Sequence, residues 1–66
     1  MPIVTVEMLS GRTREQKRQM AEAITREVAQ IARCSLNDVQ IVFDEVAREN
    51  WAVGGKLLSE PKESAA

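Results

Sequence analysis

The chain has 66 residues, 44% of them hydrophobic and 29% charged, and its nine Lys and Arg nearly balance its ten Asp and Glu. A chain this short forms one domain and buries a small share of its surface, so contact with other copies would help to stabilise it. Interspersed charges and only two aromatic residues argue against nucleic-acid binding, and apolar runs of a few residues argue against a membrane span.

Residue types that bind metals are scarce. The chain has no histidine, and Cys34 is its one cysteine. An intrachain disulfide is therefore impossible, a zinc or iron site is not expected, and Cys34 has no histidine to activate it as a nucleophile. We predict neither a metal nor another cofactor. The N-terminus lacks the basic and then apolar segments of a signal peptide, which favours a cytoplasmic location.

The first strand is predicted over Ile3–Leu9, where alternating side chains leave both faces at least half apolar. Pro2 fits the start of a strand because proline has no N–H. A small residue in second place also favours enzymatic removal of Met1, which would free the secondary amine of Pro2. An α-amino group titrates near pH ~7.7–8.0, so this amine is also a candidate general base.

A helix is predicted to begin at about Arg14, because Thr13 and Gln16 have the spacing of a capping box. Apolar residues then recur at steps of three and four, which indicates an amphipathic helix of about five turns. We expect this stripe to face the core. It consists of Met20, Ile24, Val28 and Ile31.

Turn residues follow, then a second strand from Val39 to about Val46 and a small hairpin that turns at Gly54-Gly55. This order predicts an α+β fold: a β-α-β unit with two parallel strands, one sheet face covered by the helix, and a C-terminal hairpin. The other face is apolar and uncovered, so oligomerisation is expected to extend the sheet and cover it. The domain is predicted to span residues 1–58 and a mobile tail residues 59–66.

Four features occur together and in order: Pro2, Gly11-Arg12, the Glu15-Gln16-Lys17 run at the head of the helix, and Gly54-Gly55. This combination resembles the 4-oxalocrotonate tautomerase family. The resemblance covers Pro2 to about Leu57. It implies a homohexamer built as a trimer of dimers, with active sites at subunit contacts.

The resemblance also implies an activity: keto-enol tautomerisation of a small 2-hydroxydienoate or 2-oxo acid, in aromatic compound degradation. Pro2 matches the family's general base, and Arg12 matches the arginine that binds a substrate carboxylate. Trp51 stands where the family has a phenylalanine that walls the site. Gln40 stands where the family has a second arginine, and glutamine can donate a hydrogen bond but brings no charge.

Two alternatives stay open. One is hydration or hydrolytic dehalogenation of a 3-substituted acrylate, in which a protonated Pro2 acts as acid and a carboxylate activates water. The other is a non-catalytic subunit of a hetero-oligomer, which the uncharged Gln40 favours. The carboxylates available for the first alternative are Glu7, Asp44, Glu45 and Glu49.

Overall fold

The computed structural model describes residues 1–60. Strand β1 is followed by helix α1, strand β2 and a hairpin of two short strands, with 3-10 turns at Leu36–Asp38 and Arg48–Asn50. The bounds are Ile3–Leu9 for β1, Arg14–Ala32 for α1, Gln40–Val46 for β2, Ala52–Val53 for β3 and Lys56–Leu57 for β4. The predicted α+β fold, with a β-α-β unit and a C-terminal hairpin, is confirmed.

Strands β1 and β2 form a parallel two-stranded sheet in which Ile3 is paired with Gln40 and Leu9 with Val46. Successive side chains alternate between the two faces, as the sequence pattern predicts. The helix-covered face carries half-buried side chains: Val4, Val6, Met8, Ile41 and Phe43. The opposite face, which we call the open face, carries the exposed residues Ile3, Thr5, Glu7, Gln40, Val42 and Asp44.

The predicted start of α1 is confirmed in detail. The Thr13 hydroxyl accepts from the backbone N–H of Gln16 at 3.1 Å, and the Gln16 side-chain oxygen accepts from the N–H of Thr13 at 2.9 Å. These reciprocal bonds satisfy two donors that the first turn would otherwise leave unpaired. An ion pair of 2.6 Å between Lys17 Nζ and Glu45 Oε2 then ties α1 to β2 on the helix-covered face.

The prediction that Ile31 faces the core is wrong for the single chain, where this side chain is 78% exposed. The reason is the angle between Ile31 and Ala29 around the helix axis. Ala29, which is 6% exposed, is the one buried residue between Met1 and Glu60. At about 100° per residue, Ile31 lies roughly 200° around the helix from Ala29 and so points away from the sheet.

The hairpin turns at Gly54 and Gly55, whose φ angles of 62° and 84° are both positive, as a two-residue turn of this kind requires. A further bond of 2.9 Å from the Leu58 N–H to the Trp51 carbonyl continues the pairing. The hairpin is a sheet of its own, separate from that of β1 and β2.

The first residues of the proposed tail fold back on the hairpin, because the Glu60 carboxylate accepts from the Leu57 N–H at 3.1 Å. The remainder of that tail, residues 61–66, lies outside the described residues, and the boundary after residue 58 stays a prediction. Within residues 1–60, neither α1 nor the two 3-10 turns have the length and apolar character that a membrane-spanning helix needs.

Candidate active site

Pro2 and Gln40 lie together at the start of the sheet. The Gln40 backbone N–H donates to the Pro2 carbonyl at 3.0 Å, and its side-chain Nε2 lies 3.3 Å from Met1 Sδ. Both contacts follow from the register that pairs Ile3 with Gln40. Pro2 is half-buried, and its nitrogen is an amide while Met1 is attached. Removal of Met1 would turn that nitrogen into an amine and would leave the Gln40 side-chain amide without its sulfur partner.

Arg12 follows the other end of β1, one residue before the cap of α1. It lines a groove of about 340 Å³ whose other walls come from one face of the helix: Gln16, Gln19, Met20 and Ala23. None of these lining side chains is acidic. Within residues 1–60 the Arg12 guanidinium makes no ion pair, so it is free to bind an anion.

The acid nearest to this groove in sequence is Glu15, and its charge is directed elsewhere. Its carboxylate accepts from Arg18 Nε at 3.0 Å and from Gln19 Nε2 at 3.1 Å. The hydrogen bond from Arg18, and then that from Gln19, hold the pKa of Glu15 below its ordinary value, and Glu15 raises the pKa of Arg18 in return. Glu15 therefore stays ionised and paired with Arg18 rather than with Arg12.

Trp51 is half-buried and lines a separate hollow of about 330 Å³. Trp51 follows β2 and the 3-10 turn at Arg48–Asn50. Its backbone N–H donates to the Arg48 carbonyl at 3.3 Å. The other lining residues are Glu7, Val46, Asn50 and Ala52. The indole ring thus offers an apolar wall next to one carboxylate and one amide.

The four predicted site residues therefore fall into two groups at opposite ends of the sheet. Pro2 comes directly before β1 and Gln40 is the first residue of β2, whereas Arg12 and Trp51 follow the two strands. A seven-residue strand spans about 20 Å between its first and last Cα atoms. The length of β1 thus separates Pro2 from Arg12 within one chain, which is more than the length of a small acid.

The predicted site did not include Gln16 and Gln19, which line the Arg12 groove, or Glu7, which lines the Trp51 hollow. Gln16 and Gln19 share the Arg12 groove, and their helical spacing relative to Met20 and Ala23 is a signal that could have found them. Glu7 was one of four unplaced carboxylates, and only the fold brings it beside Trp51. Glu45, in contrast, is taken up by Lys17.

The described residues also bear on metals and thiols. No group of three His, Cys, Asp or Glu side chains between Met1 and Glu60 is arranged to hold a metal ion. Cys34 is a half-buried free thiol that follows the end of α1. It lines neither the Arg12 groove nor the Trp51 hollow.

The sequence matches known proteins over nearly its whole length. Residues 2–60 match the family model described as tautomerase enzyme. A curated 2-hydroxymuconate tautomerase of Bacillus subtilis is 42% identical over 60 residues, which cover 91% of this chain and 97% of that protein.

Solved structures have the same fold. A 4-oxalocrotonate tautomerase homologue superposes with a TM-score of 0.89 at 31% identity, covering 94% of this chain and 98% of the other. A heterohexamer 4-oxalocrotonate tautomerase from Chloroflexus aurantiacus superposes with a TM-score of 0.86 at 32% identity, covering 94% and 100%. The chain therefore belongs to the 4-oxalocrotonate tautomerase family of the tautomerase superfamily and is an isomerase of the tautomerase type.

Proposed function

We propose that this chain is a keto-enol tautomerase of a small 2-hydroxydienoate or 2-oxo acid, with the N-terminal amine of Pro2 as general base after Met1 is removed. The observation that carries the proposal is the contact of Gln40 with the first two residues, through its backbone at 3.0 Å and its side chain at 3.3 Å. Loss of Met1 would free both the Pro2 nitrogen and the Gln40 side-chain amide, a hydrogen-bond donor that can bind the oxygen of an enol or ketone.

The proposed reaction is an internal transfer of one proton. The Pro2 amine accepts the proton of the 2-hydroxyl group, the C2–O bond becomes a carbonyl, and the double bonds shift along the chain. The resulting ammonium returns the same proton to a carbon at the far end of the shifted system, so that substrate and product are isomers. An α-amino group suits this step because its pKa of ~7.7–8.0 leaves about a tenth or more of it unprotonated at pH 7, whereas lysine, with a pKa of ~10.4, is almost entirely protonated there.

In the complete site, Pro2 and Gln40 of one copy act with Arg12 and Trp51 of another. The separation of about 20 Å within one chain supports this, because a small acid is far shorter. Exposure supports it too: Ile3 is 61% exposed and Val42 is 48% exposed on the open face. A homohexamer built as a trimer of dimers is the assembly that we propose.

Each remaining residue has one role. Arg12 binds the substrate carboxylate through a planar guanidinium with paired donors. Trp51 forms an apolar wall that excludes water from the reacting atoms. The 2-hydroxymuconate tautomerases of Bacillus subtilis and Comamonas testosteroni, at 42% and 33% identity, support a carboxylate dienol as substrate. We propose a cytoplasmic enzyme that acts on such dienols in the degradation of aromatic compounds.

A hetero-oligomer is the first alternative. The relative from Chloroflexus aurantiacus is a heterohexamer, and this chain has the uncharged Gln40 beside Pro2. In that case a second type of subunit would supply the missing cation. Activity that appears only after mixing with such a subunit would support this alternative.

Acrylate chemistry is the second alternative, and one observation favours it. The Glu7 carboxylate lines the Trp51 hollow, where it could activate a water molecule while a protonated Pro2 acts as acid. Turnover of a 3-haloacrylate but of no enol would support this alternative.

The first experiment is the intact mass of the purified protein, followed on the same sample by an ultraviolet assay with 2-hydroxymuconate and with the enol of an arylpyruvate. We expect the mass without Met1 and turnover of at least one enol that falls by ~10²-fold or more in a preparation that keeps Met1, where the Pro2 nitrogen is an amide. Glu27→Gln, on the exposed surface of α1, is the matched control and should retain activity. Equal turnover by the Met1-bearing protein, or absence of turnover by the processed protein, would refute the proposal.

A further inference from the structure

Two exposed residues determine the charge on the open face near the proposed site. Gln40 lies beside Pro2 at the start of the sheet, and Glu7 lies four residues beyond Ile3 on the same face. One side chain is neutral and the other is acidic. Neither adds positive charge to the surface that a substrate would contact.

Among the described residues, the Gln40 side chain donates a hydrogen bond to the N-terminal residue, from Nε2 to Met1 Sδ at 3.3 Å. Its amide can donate to a neutral carbonyl or enol oxygen as readily as to a carboxylate oxygen. A carboxylate loses hydration when it is enclosed, and an amide compensates for that loss less well than a cation does. The Pro2 end of the site therefore favours an uncharged oxygen.

Glu7 makes the Trp51 hollow unfavourable for an anion. Its carboxylate lines the hollow, and it is paired in register with Asp44 on the neighbouring strand. Within residues 1–60, neither carboxylate has a Lys or Arg nitrogen within 4.0 Å. A second carboxylate on the substrate, placed against Trp51, would be repelled by this uncompensated charge.

The Arg12 groove has the opposite character. The guanidinium is the one charged group among its five lining residues, and the others are two amides, a methionine and an alanine. The groove thus has a place for one carboxylate attached to an apolar chain.

We propose that the site selects enols with a single carboxylate and an uncharged far end, and that Gln40 and Glu7 are the residues that determine this specificity. This inference rests on the proposed function. Arg12 binds the one carboxylate, the Gln40 amide donates to the 2-oxygen, and the uncharged chain lies against Trp51. An enol with two carboxylates would bring the second one to Gln40 or Glu7, neither of which is a cation.

The test compares two dienols that differ only in that second carboxylate: 2-hydroxy-2,4-pentadienoate, with one, and 2-hydroxymuconate, with two. The kcat/KM of each is measured with the assembled full chain, after its mass has shown that Met1 is absent. We expect the wild type to prefer the monocarboxylate by about tenfold or more. Gln40→Arg and Glu7→Gln should each move that ratio toward the dicarboxylate, by about tenfold for Gln40→Arg.

Glu27→Gln is the matched control, because it also removes an exposed carboxylate but lies on α1, away from the open face. Its ratio should equal that of the wild type. A wild type that prefers the dicarboxylate would overturn the specificity inference, and so would a kcat/KM ratio that is unchanged in both variants. In either case, turnover that depends on Pro2 would still uphold the proposed function. Equal turnover by a preparation that keeps Met1, or turnover of neither dienol by the processed protein, would overturn both.

Discussion

The backbone N–H of Gln40 donates to the carbonyl oxygen of Pro2 across 3.0 Å, although 38 positions separate the two residues in sequence. This bond uses the carbonyl of Pro2 and leaves its nitrogen uninvolved. Loss of Met1 therefore changes the chemistry of the nitrogen without removing the contact that positions the residue. We therefore expect the start of the sheet to hold Pro2 in place in both forms of the protein.

Amide hydrogen exchange tests that rigidity. We expect the Gln40 amide to be protected in both the Met1-bearing and the processed forms, with exchange rates that agree within about threefold. The Ser10 amide, which donates to the Val46 carbonyl at 3.0 Å at the far end of the sheet, is the internal control. A large gain in exchange at Gln40 alone after removal of Met1 would show that Met1, not the sheet, holds Pro2.

Substitution of Arg12 should weaken substrate binding more than it slows the chemistry. We expect Arg12→Ala to raise KM for a carboxylate enol by about 10- to 100-fold, and Arg12→Lys to restore part of the loss, because lysine keeps the charge without the paired donors. Arg14→Ala is the matched control, since Arg14 is an exposed neighbour that does not line the groove. Equal effects of Arg12→Ala and Arg14→Ala would contradict the assigned role.

Mixing two impaired variants tests whether one site uses residues from two copies. Pro2→Ala keeps Arg12, and Arg12→Ala keeps Pro2. In a randomly mixed oligomer about a quarter of the sites would combine an intact Pro2 with an intact Arg12 from different copies. At substrate concentrations well below KM, we therefore expect co-refolded variants to recover up to about a quarter of wild-type activity, whereas each variant refolded alone keeps about a tenth of it or less. No recovery in oligomers shown to be mixed would mean that one copy supplies both residues.

The pairing of Glu15 with Arg18 predicts a dependence of stability on pH. The pKa of Glu15 is lower in the folded chain than its ordinary value, so the ionised carboxylate favours the folded state. That contribution is complete above the unfolded pKa and is lost as the pH falls through the lowered folded pKa. We expect Glu15→Gln to be less stable than wild type to urea at pH 7, and the difference to shrink below about pH 4.

Arg18→Met should show the same dependence, because it removes the other member of the pair. An oligomer unfolds with its subunit contacts, so the comparison is made at one protein concentration. A difference between Glu15→Gln and wild type that persisted at low pH would mean that the carboxylate charge is not its cause.

Local sequence accounts for the secondary structure. Thr13 and Gln16 predicted the first turn of α1, and both of the capping bonds they imply are present. Gly54-Gly55 predicted the hairpin turn, because only glycine adopts two successive positive φ angles without strain. These features can be predicted from the sequence because each depends on residues within four positions of one another.

The sequence by itself also determined the family, through the order and spacing of Pro2, Gly11-Arg12 and Gly54-Gly55, and it determined that one apolar face of the sheet would stay uncovered. Only the tertiary structure decided that Ile31 points away from the sheet and that Glu7 joins Trp51. It alone also decided the register that brings the Gln40 backbone to Pro2. The physical reason is that helix rotation and strand register depend on packing between distant segments, which local patterns do not specify.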